Sequence, residues 1–297
     1  LINRGLIEAP FTFVHLETQM GPCFKSEPEQ GVIPPGETQT VQVFCDATVV
    51  GHLEEDLQFN VAGCPIPVII KVEGDVCPPD IEFSGDNLDF CDVSFGFPKT
   101  LSIRLTNKSP GYFKFRLRVT GDGRGHAVSS YELITNDADP AWRKGVQCVV
   151  EPQEFTMNPS EAFMHPFGYR DIQVTLCSNT IMEYYRQLVV DVERVGEAVA
   201  SVTVTARCLV AKLEVYPNIL WYEDICYLNE PYEKKFLIMN NTHLYGCYGL
   251  IPQKRKEGTP VFYSSRKPCG VVEPFSIAEL PITLESQRVG KQSTRVM

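Results

Sequence analysis

Residues 101–111 read Leu101-Ser102-Ile103-Arg104-Leu105-Thr106-Asn107-Lys108-Ser109-Pro110-Gly111. The first five alternate apolar and polar, the period of a strand with one face in a core and the other in water. Asn, Ser, Pro and Gly then form a turn before a further strand. The same period recurs at Val41-Gln42-Val43, Leu57-Gln58-Phe59-Asn60-Val61, Ile172-Gln173-Val174-Thr175-Leu176, Val190-Asp191-Val192 and Val202-Thr203-Val204. Pro (22) and Gly (21) punctuate these runs, and no long amphipathic helical pattern competes. Many short strands so punctuated predict antiparallel β-sandwiches with no helix longer than about three turns.

Repeats set the organisation. Leu105-Thr106-Asn107-Lys108-Ser109 is echoed by Leu1-Ile2-Asn3-Arg4-Gly5 and by Ile238-Met239-Asn240-Asn241-Thr242. Gly31-Val32-Ile33-Pro34-Pro35-Gly36 begins 28 residues after Asn3, and Gly270-Val271-Val272-Glu273-Pro274 begins 30 after Asn240. Each precedes an alternating strand and then a glycine, Gly51 or Gly290. Leu88-Asp89-Phe90-Cys91-Asp92-Val93 parallels Leu220-Trp221-Tyr222-Glu223-Asp224-Ile225, which predicts Phe90 and Tyr222 as equivalent buried positions, with Leu105 and Ile238 as a second such pair. The expected fold is all-β: three tandem immunoglobulin-like β-sandwich repeats, the first and last truncated. Their expected bounds are 1–73, 74–211 and 212–297. The middle repeat carries an insertion near 120–150. Asn107 to Pro159 spans 52 residues, whereas Asn3 to Pro35 spans 32 and Asn240 to Pro274 spans 34. No Gly/Ser linker separates the repeats, which favours stiff stacking.

The 297 residues are 43% hydrophobic and 22% charged, an ordinary globular composition. A formal charge of -10 has the wrong sign for a generic nucleic-acid or anionic-membrane binder. The longest strongly apolar stretch, Pro65 to Val72, is far short of a bilayer span. The chain begins at Leu1 rather than Met, so it is expected to be a segment of something longer. Eleven cysteines, an odd number with no CxxC pair, read as reduced thiols packed as small hydrophobes in a cytosolic protein.

Chemistry is sparse. None of the five histidines has a second ligand at metal spacing. Gly121-Asp122-Gly123-Arg124-Gly125-His126 lacks the helix and lysine of a phosphate cradle and reads as a turn. Asn136-Asp137-Ala138-Asp139-Pro140 lacks the closing glutamate of a calcium loop. The sequons at Asn107 and Asn240 coincide with the repeat's own Asn-x-Ser/Thr position, where the side chain is expected to bind turn backbone. No catalytic residue, cofactor or metal site is expected.

Two places suit protein partners. In the insertion, Trp142 beside Arg143 and Lys144 has the composition of an interface, against the blander and favoured expectation that Tyr131 and Trp142 pin the loop to its own sheet. Lys254-Arg255-Lys256 is the tight basic triplet of a C-terminal region of net charge +1, against -8 for residues 1–75. It could dock an acidic surface such as a tubulin tail, although such a charge run is more often a solvated loop.

The Leu88-Asp89-Phe90-x-x-Val93 pattern, the Leu105-x-Asn107-x-Ser109 pattern and the Pro110-Gly111 turn resemble the immunoglobulin-like repeats of abnormal-spindle and hydin-type ciliary proteins, relatives of the major sperm protein fold. The resemblance covers the whole chain. The second repeat departs from it by the insertion and by lacking a clear Pro-Pro-Gly turn. The resemblance implies a non-catalytic scaffold in the cytoplasm and cytoskeleton, in the axonemal central apparatus of motile cilia. Its implied partners are other central-apparatus proteins, with tubulin as a candidate, in a large hetero-complex with no nucleic acid and no membrane. The competing expectation is an extracellular adhesion or receptor ectodomain, which would need paired cysteines or used sequons.

Overall fold

Wherever the sequence alternates, the chain is extended. In the computed structural model, which describes residues 1–47, 49–135, 151–222, 226–251, 253 and 259–297, strands make up 55% of the chain and helix 3%. Six strands fill the first stretch: β1 (Ala9–Val14), β2 (Phe24–Glu27), β3 (Gln30–Ile33), β4 (Gln42–Cys45), β5 (Gly51–Val61) and β6 (Val68–Val76). They pair as a sheet in the order β3-β1-β5-β6 and a separate pair β2-β4. Their inward rows bring Phe11, Phe13, Phe24, Ile33, Leu57 and Phe59 into one core. Leu1–Asp80 and the turn Glu193–Gly196 form one compact unit; Ile81–Val192 with Glu197–Met297 forms another.

The second unit opens with β7 (Ile81–Phe83), β8 (Asn87–Ser94), β9 (Pro98–Asn107) and β10 (Phe113–Val119). After an excursion holding β11 (Gly125–His126), the short helix α1 (Ser130–Thr135) and β12 (Pro152–Gln153) come β13 (Phe155–Asn158), β14 (Glu161–Met164), β15 (Tyr169–Cys177), β16 (Glu183–Val192) and β17 (Gly196–Leu209). One sheet runs β14-β10-β16-β17-β8 and the other β13-β15-β9-β7. β9 lies antiparallel along β15 from Pro98↔Cys177 to Thr106↔Tyr169, whereas β8 lies parallel to β17. Phe90, Leu105, Phe115, Phe155, Ile172 and Leu188 fill the space between, each at most 1% exposed. Each such burial is worth roughly 1.5–3 kcal/mol.

The same plan continues through β18 (Leu213–Tyr216), β19 (Pro231–Asn240), β20 (Gly246–Gly249), β21 (Val261–Ser264), β22 (Cys269–Val272) and β23 (Ile277–Ser286). β18-β19-β23-β21 form a sheet and β20-β22 a pair, around Ile238, Tyr263, Val272 and Ile282. Leu105 and Ile238 are both buried, as their equivalence requires. Leu105→Ala is expected to cost about 2–5 kcal/mol in urea unfolding, the transfer loss plus a cavity. Tyr222 departs from expectation. It is half-buried, with the Lys234 ammonium 4.6 Å from its ring centroid. β8 is a strand because β17 pairs with it, and among the described residues after Ser286 no strand takes the place of β17.

The repeated asparagine has a physical job. Asn107 is fully buried; its Nδ2 donates to Gly111 O (2.7 Å) and His165 O (2.9 Å), and its Oδ1 accepts from Ser109 N and Oγ. Asn3 bonds Ile7 O and Ile33 O and accepts from Gly5 N. Asn240 bonds Leu244 O, Val272 O and Glu273 O and accepts from Thr242 N and Oγ1. Each side chain closes its own turn and fastens it to a strand end far along the chain. The sequons are therefore structural, and a glycan on Nδ2 would break the clamp.

Backbone bonds fix the register between copies. Asn3, Asn107 and Asn240 each donate N–H to the carbonyl of Glu37, Gly168 and Ser276 respectively. Pro35 thus matches Pro274, as the sequence comparison has it, but their counterpart in the second repeat is Pro166 rather than Pro159. Pro159 instead matches Pro28: each follows a cis peptide at the corner where the chain passes between sheets. The missing Pro-Pro-Gly turn is His165-Pro166-Phe167-Gly168, in which Phe167 adopts the left-handed φ of 52° that Gly36 holds at 73°. Measured to Pro166, the Asn-to-Pro span is 59 residues, so the insertion is larger than the sequence comparison suggests.

Candidate interaction surface

The insertion leaves its sandwich through a tightly bonded base. Asp122 accepts Glu154 N at 2.8 Å and Phe155 N at 3.1 Å, and burial pushes its carboxyl pKa up despite those amides. Gly125 and His126 pair in parallel with Pro152 and Gln153. Asn179 holds the outgoing chain by two bonds to one residue, from Val128 N to Oδ1 (2.5 Å) and from Nδ2 to Val128 O (2.8 Å). Its own N–H goes to the buried Glu154 carboxylate at 2.7 Å.

Beyond this base, α1 does not lie on its own sheet alone. It packs against β20 and β22 of the following sandwich. Ser130 N donates to Gly96 O at 2.8 Å, and Gly96 has φ +75°; a Cβ there would lie 2.0 Å from Ser130 Oγ. Glycine is required twice over, by backbone and by space. Gly96→Val is expected to cost about 2–4 kcal/mol and to speed hydrogen exchange at Leu133, whose amide bonds Ser129 O within the helix.

Aromatic stacking completes this junction. Phe97, 6% exposed, stacks on Tyr245 with centroids 5.6 Å apart and planes at 22°, and Tyr131 meets Phe97 edge-on at 6.4 Å. Such pairs add about 0.5–1.5 kcal/mol beyond area burial. Tyr245 N donates to Ser94 Oγ at 2.8 Å, and Cys269 Sγ to Ile134 O at 3.7 Å.

A polar triad flanks the stack. Arg207 grips Asp92 with two bonds (2.7 and 3.0 Å), and His243 Nε2 lies 2.9 Å from Asp92 Oδ2. The Arg207 fork, aided by His243, holds the Asp92 carboxyl below its ordinary range. A depressed native pKa means stability that is present above about pH 5 and lost as the pH falls below about 4. The contribution is small, because solvent reaches the Arg207 side of the pair and screens it. Asp92→Asn should remove it at pH 7 and little at pH 3, as read from urea midpoints across that range.

The residues singled out by composition, Trp142, Arg143 and Lys144 with Lys254, Arg255 and Lys256, lie outside the described residues. What the structure brings together instead is Asp92, Phe97, Arg207, His243 and Tyr245, from strand ends and turns 153 residues apart at the widest. No linear spacing announces such a cluster; the nearest signal is the echoed Asn-x-Ser/Thr turn, which places His243 and Tyr245 just past its end. Among the described residues, no group of three His, Cys, Asp or Glu side chains could hold a metal ion, and no helix is long and apolar enough to cross a membrane.

Residues 1–75 match the family model "HYDIN/CFA65/VesB-like, Ig-like domain". The chain is 38% identical over 293 residues to the mouse hydrocephalus-inducing protein, covering 98% of this chain, and 38% identical over 297 residues to the human homolog, covering all of it. It spans 6% of the length of either relative. Among solved structures, the ASH/PapD-like domain 7 of human CEP192 matches at 11% identity and TM-score 0.31 over 44% of this chain and 87% of that one. WR4, a C. elegans member of the MSP family, matches at 8% identity and TM-score 0.25 over 43% and 97%.

Proposed function

We propose, for a chain related along its whole length to the hydrocephalus-inducing protein and carrying that family's Ig-like domain at residues 1–75, a non-catalytic scaffold role in the motile-cilium axoneme. The observation that carries the reading is the 38% identity to the human homolog over all 297 residues of this chain. In this reading the segment is one stiff stretch of a long tandem array within a central-pair projection. Central-apparatus proteins and tubulin are the surfaces it meets, and ciliary beating depends on it. Stacking such as that of Phe97 on Tyr245 suits the role, because a projection that transmits force needs junctions that do not swing freely. The excursion that holds α1, and the basic triplet at 254–256, are the places where partners dock in this account.

The extracellular alternative predicts disulfides and glycans. Titrating thiols on denatured protein without reductant separates the two readings. Eleven reactive thiols are expected of a protein kept in a reducing compartment; one or none would overturn the axonemal reading.

A further inference from the structure

The sheet β18-β19-β23-β21 has all four strands of its counterpart β7-β9-β15-β13, yet its outer face differs in kind. Register fixes which rows point outward. Ile238 is buried, so its neighbours along β19, Leu237 and Met239, face away from the core. Tyr216 and Glu279 stand beside Leu237, and Glu214 and Ile277 beside Met239. Leu237 and Met239 are half-buried, whereas Tyr216 and Ile277 are each 62% exposed. Four apolar side chains thus form one block on the solvent side of three adjacent strands, where isolated ones would need no explanation.

The preceding sandwich shows the same face built to meet water. With Asn107 matched to Asn240, the pairings place Ser84, Arg104, Thr106 and Tyr169 where Tyr216, Leu237, Met239 and Ile277 stand. There Arg104 grips Asp171 at 2.7 and 3.2 Å and lies 4.1 Å from the Tyr169 ring centroid, and Lys108 pairs with Glu82. The third sandwich keeps both carboxylates, as Glu279 and Glu214, but has Leu237 in the place of Arg104 and Asn241 in that of Lys108. Glu279 takes Lys235 at 2.6 Å. Among the described residues, Glu214 receives the neutral Asn241 amide at 3.4 Å. The acids remain while the two cations that answered them give way to uncharged residues.

We infer that this face docks a basic amphipathic helix of a partner protein. The helix lays its apolar stripe on Tyr216, Leu237, Met239 and Ile277 and sets Lys or Arg flanks against Glu214 and Glu279, one on each side of the block. Three strands about 4.8 Å apart make a strip about 10 Å wide, the diameter of one helix, and helix on sheet is an ordinary pair of packed layers. Charge selects the occupant. A second copy would set these carboxylates against their own kind in a chain of formal charge -10, and an anionic bilayer would be repelled for the same reason. The inference rests on the fold and its side chains, independently of the ciliary reading.

The test uses the whole chain and two synthetic helical peptides with the same leucine stripe, one flanked by lysines and the other by glutamates, followed by fluorescence anisotropy. The lysine-flanked peptide should bind about tenfold or more tightly than the other. Leu237→Arg with Met239→Thr, which installs the residues that the second sandwich carries there, should weaken that binding about tenfold or more with the melting temperature kept. Glu214→Lys leaves the apolar block in place and should cut the preference for lysine flanks about fivefold or more. Undiminished binding by the double variant, or an unchanged preference in Glu214→Lys, would overturn the proposal. So would self-association of the chain, or binding to phosphatidylserine vesicles, that the double variant abolishes, since the face would then serve a second copy or a membrane.

Discussion

Replacing Asn107 with Ala is expected to cost about 3–5 kcal/mol, the largest single-residue effect outside the apolar core. The side chain is fully buried and makes four hydrogen bonds. Its removal leaves Gly111 O and the Ser109 amide without their side-chain partner, and takes one of two donors from His165 O, which also accepts Gly168 N. Each orphaned group costs about 1–3 kcal/mol, and relaxation recovers part of the sum. The clamp also joins residues 58 apart in sequence, so its loss loosens the entry to β15 as well as the local turn. Asn3→Ala should cost less, because Asn3 is 8% exposed and Gly5 offers no hydroxyl to the motif. Urea unfolding of both variants checks the order. A loss below about 1 kcal/mol for Asn107→Ala would mean the repeated asparagine is not the fastening that the hydrogen bonds describe.

Phe90→Ala is expected to cost about 3–5 kcal/mol. Phe90 is 0% exposed and meets Phe155 edge-on at 6.2 Å, and Phe155 in turn meets Tyr184 at 5.9 Å. The ring therefore plugs the end of a three-aromatic chain, and its removal leaves a cavity that rigid neighbours cannot fill. Phe90→Leu should cost less, since most of the volume stays. Thermal unfolding of the pair gives the comparison. A near-neutral Phe90→Ala would imply a one-residue slip of β8, which would turn Phe90 to water and Asp89 inward.

Strand identity was legible because period-two patterning is dictated locally by the pleat. Asn3, Asn107 and Asn240 were legible because a buried side chain that bonds its own turn must be followed at fixed offsets by residues that accept it. The match of Ile33 with Val272 held for the same reason. The Pro159 assignment failed because two turns of each sandwich carry proline, and the insertion blurred which one was in register. Tyr222 was misjudged because burial of that position depends on a strand from the far end of the sandwich. The Asp92–Arg207–His243 triad and the Phe97–Tyr245 stack escaped notice because their members meet only through tertiary packing. The composition of the Trp142 and Lys254 regions pointed to interfaces, and their part in docking belongs to the proposed function.

The central claim is that this segment works as a structural piece of the axoneme. The most direct measurement is immuno-electron microscopy with an antibody raised against residues 151–222, applied to demembranated axonemes and to intact cells. The account predicts label along the central pair after demembranation and none on intact cells. Label on the outer surface of intact cells, with bare axonemes, would contradict it.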